Sequence, residues 1–537
     1  MSLQVQYIDV PAGAREAANF ASDTGQEFSQ TQQLGEGVAD IPWVTLEPGS
    51  WSLDGTGQLL PDTPDRIGWW SREPSNANGV LLRPPAITVT FPQLYTAAGL
   101  TFRFSPSTNQ WCRKLEVAWY RGDLLLDLVS ARPTAADWAL THGVADFDRV
   151  EIRFEETNTP FHFVKLQQLQ IGRVMVFMGD ELVKVRLLNE VDPSLSTLPV
   201  DTMTVEIRDR KGRDLQPEKG QLVRLYRDGV QLATHYVTDA QRQSRQNYRL
   251  HCQSAVGLLE DSFLGGIYEE YPVEHLLQAV LDGFPFSLDP AFSGETVTGY
   301  LPVCTRRQAL QQIAFALGAV VTTKGDGSIR LQLPEESVSN FFDADRIFSG
   351  ANLKRTFPVA AVELLTHSYI PDGERKALLN ETAVFGENVL FVFSEPYYDY
   401  QIAGGSLVDS GANWVRITAD GPVVLTAKKY SHIVEAYRKE NSLLVAMERG
   451  NVVTVDKATL IHAGNVHRAL QRLYDYYTMV DLLTQDVVVT GEIVGQLAES
   501  ITPWDTPIVG YITEMESEFT DTGHRANIQI RGREVQV

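Results

Sequence analysis

The chain has 537 residues, 43% of them apolar and 21% charged. It is too long for one hydrophobic core and its composition is neither disordered nor fibrous, so about three to five domains are expected. Lys and Arg number 46 against 68 Asp and Glu, a formal charge of −22, which argues against a protein that grips nucleic acid, because that takes a basic stripe along the phosphates. No apolar run reaches the roughly 18–20 residues that cross a bilayer. The first nineteen residues lack the basic patch and apolar stretch of a signal peptide. The expectation is a soluble chain without membrane insertion that does not leave its cell by the usual secretory route. Cys112, Cys252 and Cys304 are far apart and odd in number; their spacing fits neither a disulfide framework nor a zinc site, and buried thiols in a reducing cytoplasm are expected.

In chain order, residues 1–40 are polar, with one strand-like start at Val5 to Val10, and read as an extended N-terminal arm. Residues 41–172 are dense in aromatics and short alternating runs: Ala86-Ile87-Thr88-Val89-Thr90-Phe91, Leu100 to Phe104, Leu115 to Tyr120, Val150 to Phe154 and Val164 to Gly172. Period-two runs split by turn residues predict an antiparallel β-sandwich. From 173 to 262 the strand pattern continues, with an expected hairpin across Gly179-Asp180 and another across Asp228-Gly229, since Asp-Gly supplies the positive φ angles of a tight turn. A barrel-like unit is the reading for that block.

Helices follow in residues 263–350. Val273 to Leu281 has helical spacing, and Thr305 with Gln308 forms a capping box ahead of Leu310, Ile313, Ala314 and Leu317, with Gly318 at the C′ position. Val320 to Thr323 and Ile329 to Leu333, joined at Gly325-Asp326-Gly327, complete a small αββ unit. Residues 351–400 and 487–537 read as a second barrel, and 401–486 as an inserted β domain with one helix near 465–480. The fold class is therefore mainly β and multi-domain, with α+β elements.

The chemistry-bearing residues do not form a recognisable motif. His462 and His467 lie five apart rather than at the i, i+4 spacing of two zinc ligands on one helical face. Asp180-Glu181 and Glu155-Glu156 are adjacent acids, which a strand points to opposite faces. There is no nucleophile elbow and no phosphate-binding lysine loop. The expectation is a protein that is not an enzyme, with no catalytic residues, no metal and no cofactor. The most function-like feature is tryptophan: Trp43, Trp51, Trp69, Trp70, Trp111, Trp119 and Trp138 are seven of the nine in the chain. Trp69, Trp70 and Trp111 are candidate glycan or docking contacts, because an open indole face packs against a sugar ring or a partner. Core packing is the alternative. Trp69 and Trp70, as strand neighbours, point to opposite faces, so one is expected at a surface or seam.

Two stretches carry a family resemblance. Residues 86–172, through Ile87 to Phe91, Leu115 to Tyr120, Val150 to Phe154, Val164-Lys165-Leu166 and Ile171-Gly172, resemble a discoidin or carbohydrate-binding-module sandwich of jelly-roll type. Residues 173–537 resemble the baseplate hub and tail-associated proteins at the tail tip of phages and prophages. The carriers there are Gly179 to Lys184, Asp192-Pro193-Ser194, Leu198-Pro199-Val200, Thr204 to Ile207, Arg306 to Gly318, Gly510 to Thr513 and Ala526 to Gly532.

The hub resemblance implies two tube-like β-barrels per subunit and a homotrimer that mimics a sixfold ring. It further implies a central channel that passes DNA without specific binding. The implied partners are the tail tube and distal tail proteins, the tape-measure protein, and tail-tip or receptor-binding proteins. The implied location is the virion, after assembly in the bacterial host cytoplasm. The sequence ends at Val537 with no fused spike or hydrolase, so a lytic step is expected to belong to another chain. The alternative is a peripheral host-adhesion protein that holds cell-wall glycan through the N-terminal sandwich.

Overall fold

Period-two alternation dominates the chain, and in the computed structural model it becomes a mainly β molecule of several sheets and five α-helices among the described residues. Those residues are 3–11, 13–22, 30–35, 37–41, 43–49, 66–212, 215, 217–348, 350–448, 450–502, 504–520 and 523–535. Trp51 lies outside them.

The stretch expected to be a sandwich, with Asn19–Ala21 added to it, forms a β unit around one core. Its main sheet runs in the order Asn19–Ala21, Ala86–Arg103, Asp137–Thr157, Cys112–Arg121, Leu124–Ala131, with Gln168–Ile171 added beside Ala86–Arg103. The two longest strands are broken by register shifts between Thr90 and Gly99, which let one sheet curl around its own core. Ile87, Val89, Leu100, Phe102, Leu115, Val117, Ile152 and Phe154 all turn inward and are fully buried. At Gly99 the curl demands glycine: φ is +152° and a Cβ would stand 1.8 Å from the Leu140 carbonyl oxygen.

A 13-stranded sheet carries the rest of the β architecture. Its first part runs Arg173–Met178, Leu3–Asp9, Leu222–Arg227, Val230–Arg242, Asn247–Gln253, Thr202–Arg208, Leu182–Glu190. These strands wrap one core that contains Val5, Tyr7, Phe177, Val205, Leu225 and Leu250. The second part continues without a break through Pro507–Thr520, Gly523–Glu534, Asp481–Val488 and Asn352–Arg355, with Leu497–Ile501 and Asn340–Phe342 branching from Pro507–Thr520. It encloses a separate core of Leu483, Val487, Ile508, Ile512, Ile528 and Ile530.

The seam is the antiparallel ladder from Val185↔Phe519 to Glu190↔Glu514. Phe519 inserts into the first core, whereas Val191 and Met515 belong to the second. The Val191 amide extends the ladder by donating to the Thr513 carbonyl at 2.9 Å. Lys184–Glu518 and Arg186–Glu516, both 3.5 Å, flank the ladder on its exposed face.

An α/β unit packs beside this sheet. Helix Arg306–Leu317 starts with the expected capping box and ends at Gly318 in the left-handed region. It shares a core with helices Val273–Val280 and Val466–Tyr477 and with Val362 and Leu364. The hairpin Val320–Thr323 and Ile329–Gln332 forms as expected, and its turn is pinned to the first unit, where Gln231 Nε2 and Thr234 Oγ1 each donate to the Gly325 carbonyl at 2.8 Å. Two further sheets adjoin this unit, the first of them contributing Val362 and Leu364 to its core. One has the order Ser431–Glu440, Val359–Ile370, Asn451–Val455; the other joins Arg375–Val392, Trp414–Lys429, Tyr397–Ala403 and Ser406–Ser410.

Four readings of the sequence change. The expected barrels do not close among the described residues. The expected hairpin across Gly179-Asp180 is not one, because Arg173–Met178 pairs with Leu3–Asp9 while Leu182–Glu190 pairs with Thr202–Arg208 and Pro507–Thr520. Each strand finds its partners elsewhere, Arg173–Met178 on one side only, and the sheet stays open at that point. The segment read as an arm contributes a strand flanked on both sides, Leu3–Asp9. Of residues 351–400, only Asn352–Arg355 joins the C-terminal strands.

Replacing Gly99 by Ala forces both the unfavourable φ and the carbonyl clash, and should lower unfolding free energy by about 3 kcal/mol. Gly122→Ala, at φ +56° with nothing within 4 Å of the new Cβ, should cost only about 1 kcal/mol. Urea denaturation of the two variants measures the difference, and equal losses would contradict the curled-strand geometry.

Candidate functional site

The tryptophans singled out in the sequence are mostly structural. Trp69 and Trp70 form a two-residue strand paired with Lys165–Leu166, and both are buried. Trp69 enters the sandwich core and lies 5.2 Å from Phe154 between ring centroids. Trp70 points the other way, into a small second core with Trp43 and Ile67. There it covers a buried ion pair: Lys165 Nζ is 2.5 Å from Glu47 Oε2 and 4.8 Å from the centre of the Trp70 ring. Burial pulls Lys165 below the usual lysine range, and Glu47 opposes that shift. Such a pair holds together because each charge has further partners, Gln110 Oε1 for the lysine and the Phe163 amide for the glutamate. Trp111 is half-buried, and its Nε1 donates to the Pro133 carbonyl at 3.2 Å. The three candidates therefore do not share a surface, and only Trp111 retains access to solvent.

The acids noted in the sequence are taken up individually by cations. Glu155 pairs with Lys114 at 2.5 Å and Glu156 with Arg113 at 2.7 Å. Asp180 pairs with Arg210, and Glu181 reaches Lys211 at 4.0 Å. Cys112 and Cys252 are buried, and burial pushes both thiols up, that of Cys112 to about 12. Cys304 is half-buried, its thiol raised to about 11. These are poor nucleophiles at neutral pH.

Histidine gives a contact that the sequence did not suggest. His367 and His432 face each other across Val359–Ile370 and Ser431–Glu440, with Nδ1 of the first 2.9 Å from Nε2 of the second. His432 also stacks on Tyr369, ring centroids 4.6 Å apart. Burial lowers both pKa values, so at neutral pH one uncharged ring donates to the other and ties the two strands side by side.

The inserted sheets present the surface that is hardest to explain in an isolated chain. Among the described residues, 13 of the 32 exposed large apolar side chains fall between 357 and 452. Phe357 is 88% and Phe385 70% exposed. Ser431–Glu440 is an edge strand of its sheet, and the consecutive pair Ile433 and Val434 is exposed on both of its faces. Arg375–Val392, also an edge, carries exposed Leu390 and Val392 beside Phe385. Exposed apolar edge strands are templates for pairing with another chain. The β character of residues 401–486 is legible in the sequence, but neither the strand Ser431–Glu440 nor its lack of cover is.

No protein-family model and no curated protein matches the chain. Among solved structures, it is similar to a 43 kDa prophage tail protein from Shewanella oneidensis, at 11% identity and TM-score 0.41, covering 66% of this chain and 95% of that one. It is similar to a tail protein from Neisseria meningitidis at 11% identity and TM-score 0.39, covering 66% and 93%. A prophage tail protein from Listeria monocytogenes gives 11% identity and TM-score 0.38 over 66% and 91%.

Acid should weaken the fold through His235. It is fully buried, and burial lowers its pKa from 6.5 to about 4. The unfolded chain then takes up the proton first, so this contribution is complete above pH 6.5 and is lost as pH falls toward 4. It amounts to roughly 3 kcal/mol. Urea titrations at pH 7 and pH 4 should show that His235→Leu reduces the acid-induced loss by about that amount; an unchanged loss would refute the assignment.

Proposed function

We propose that this chain is a structural subunit of a bacteriophage-type tail, a baseplate-hub or tail-tip protein that joins copies of itself around a channel. The observation that carries the reading is the exposed apolar edge of the inserted sheets, held out by a two-core, 13-stranded scaffold. A scaffold of that kind transmits position between partners, and edges of that kind find their backbone partners in a neighbouring copy. The sequence resemblance to tail-tip hubs supports the same assignment.

On this reading residues 41–172 are a decorating sandwich. The two parts of the large sheet are the tube-like units, and the α/β unit with its inserted sheets lies between them in the chain. A homotrimer closes the ring, with the tail tube and distal tail proteins on one side and tape-measure or receptor-binding proteins as further partners. The protein works in the virion, and the role is assembly rather than catalysis. The acidic excess of −22 keeps passing DNA from adhering, since like charges repel. The host-adhesion alternative keeps only Trp111 of its three expected contacts on an accessible surface.

Native mass spectrometry at micromolar concentration should show a trimer. Combining Ile433→Glu with Val434→Glu should convert it to monomer with unchanged circular dichroism, because both residues are already solvent-facing within one chain. A wild-type protein that stays strictly monomeric would overturn the proposal.

A further inference from the structure

Between the sandwich and the first part of the large sheet lies a slot of about 760 Å³. Strand register shows how its walls are made. Leu3, Val5 and Tyr7 turn into the core of their own sheet, so the alternate residues Gln4 and Gln6 face the slot. Gln4 stands beside Tyr226, and Gln6 beside Arg224, on the neighbouring strand. On the opposite wall, Arg103 is flanked in register by Asp137 on one side and Gln168 on the other.

Two β faces that meet normally fill the space with interdigitated apolar side chains. These faces leave the space open: Trp138, Val174, Val176 and Met178 line it together with the amides of Gln4, Gln6 and Gln168, the guanidinium groups of Arg103 and Arg224, and the Tyr226 ring. Among the described residues, the side chains of Gln4, Gln6, Arg224 and Tyr226 have no hydrogen-bond or ion-pair partner. Arg103 Nε lies 3.6 Å from Asp137 Oδ1, beyond hydrogen-bond distance, and the Asp137 side chain is 68% exposed. Among the described residues two arginines face one aspartate, an excess of positive charge in a strongly acidic chain.

From this placement we propose that the slot binds a short acidic oligosaccharide. Arginine offers paired donors for a carboxylate or for neighbouring hydroxyls, and glutamine offers a donor and an acceptor together. Tyr226 supplies a flat apolar surface against which a sugar ring packs. The volume falls within the range of small-ligand sites. An extended peptide fits less well: the Val174 amide on the bordering strand already donates to Thr101 Oγ1 at 3.1 Å, which removes a backbone donor that strand addition would use. The site involves none of Trp69, Trp70 and Trp111, though Trp138 lines it, and it is independent of the proposed assembly role.

Isothermal titration of the full chain with a galacturonic acid trisaccharide and with neutral cellotriose tests the assignment. The acidic probe should bind with Kd below about 1 mM, and the neutral one at least tenfold more weakly. Arg224→Gln and Tyr226→Leu should each weaken the acidic probe tenfold or more. Arg224→Gln leaves every core contact in place, so it reads out binding even where Tyr226→Leu disturbs the fold. No saturable binding of either sugar, binding unaffected by both substitutions, or binding of an acidic hexapeptide with none of either sugar would overturn the proposal.

Discussion

The ladder between Val185–Glu190 and Glu514–Phe519 is the constraint on which the architecture depends. Without it the chain would be two β units, each with its own apolar core and each with a long unpaired edge. With it, the backbone groups of both edges are satisfied at once, and a side chain from the C-terminal hairpin, Phe519, completes the N-terminal core. The same pairing explains why the first unit does not close into a barrel. Leu182–Glu190 has two neighbours already, Thr202–Arg208 and Pro507–Thr520, and has no free edge for Arg173–Met178.

The seam is also electrostatically uneven. Lys184 and Arg186 meet Glu518 and Glu516 on the exposed side, while Glu190 lies directly opposite Glu514 at the end of the ladder. Burial raises the Glu190 pKa first, and the charges of Glu514 and Asp201 add to that. The exposed ion pairs contribute little individually. Cross-strand hydrogen bonding and the shared apolar cores hold the two units together, with charge setting register more than strength.

Local chemistry was legible in the sequence where a few neighbouring residues decide the outcome. Thr305 and Gln308 cap their helix, Gly318 ends it, and Asp228-Gly229 makes the tight turn with φ of 50° and 81°. What could not be read is pairing between distant segments. Leu3–Asp9 alternates like any strand, and nothing local says that it sits between Arg173–Met178 and Leu222–Arg227. The burial of both Trp69 and Trp70 is hidden in the sequence for a related reason. Alternation correctly sends them to opposite faces, but a second core of Trp43 and Ile67 covers the face that would otherwise meet solvent. The apolar strands of the inserted sheets, too, look in sequence like any buried strand; only the fold leaves Ile433, Val434 and Phe385 outside.

If the two β units are one scaffold, the seam must open only when the whole sheet does. Native-state hydrogen exchange followed by mass spectrometry measures this directly. Amides of residues 185–190 and 514–519 are expected to exchange as slowly as those of the two cores, at the rate set by global unfolding. Fast, independent exchange across that ladder, with both cores still protected, would show two separately held units and contradict the account.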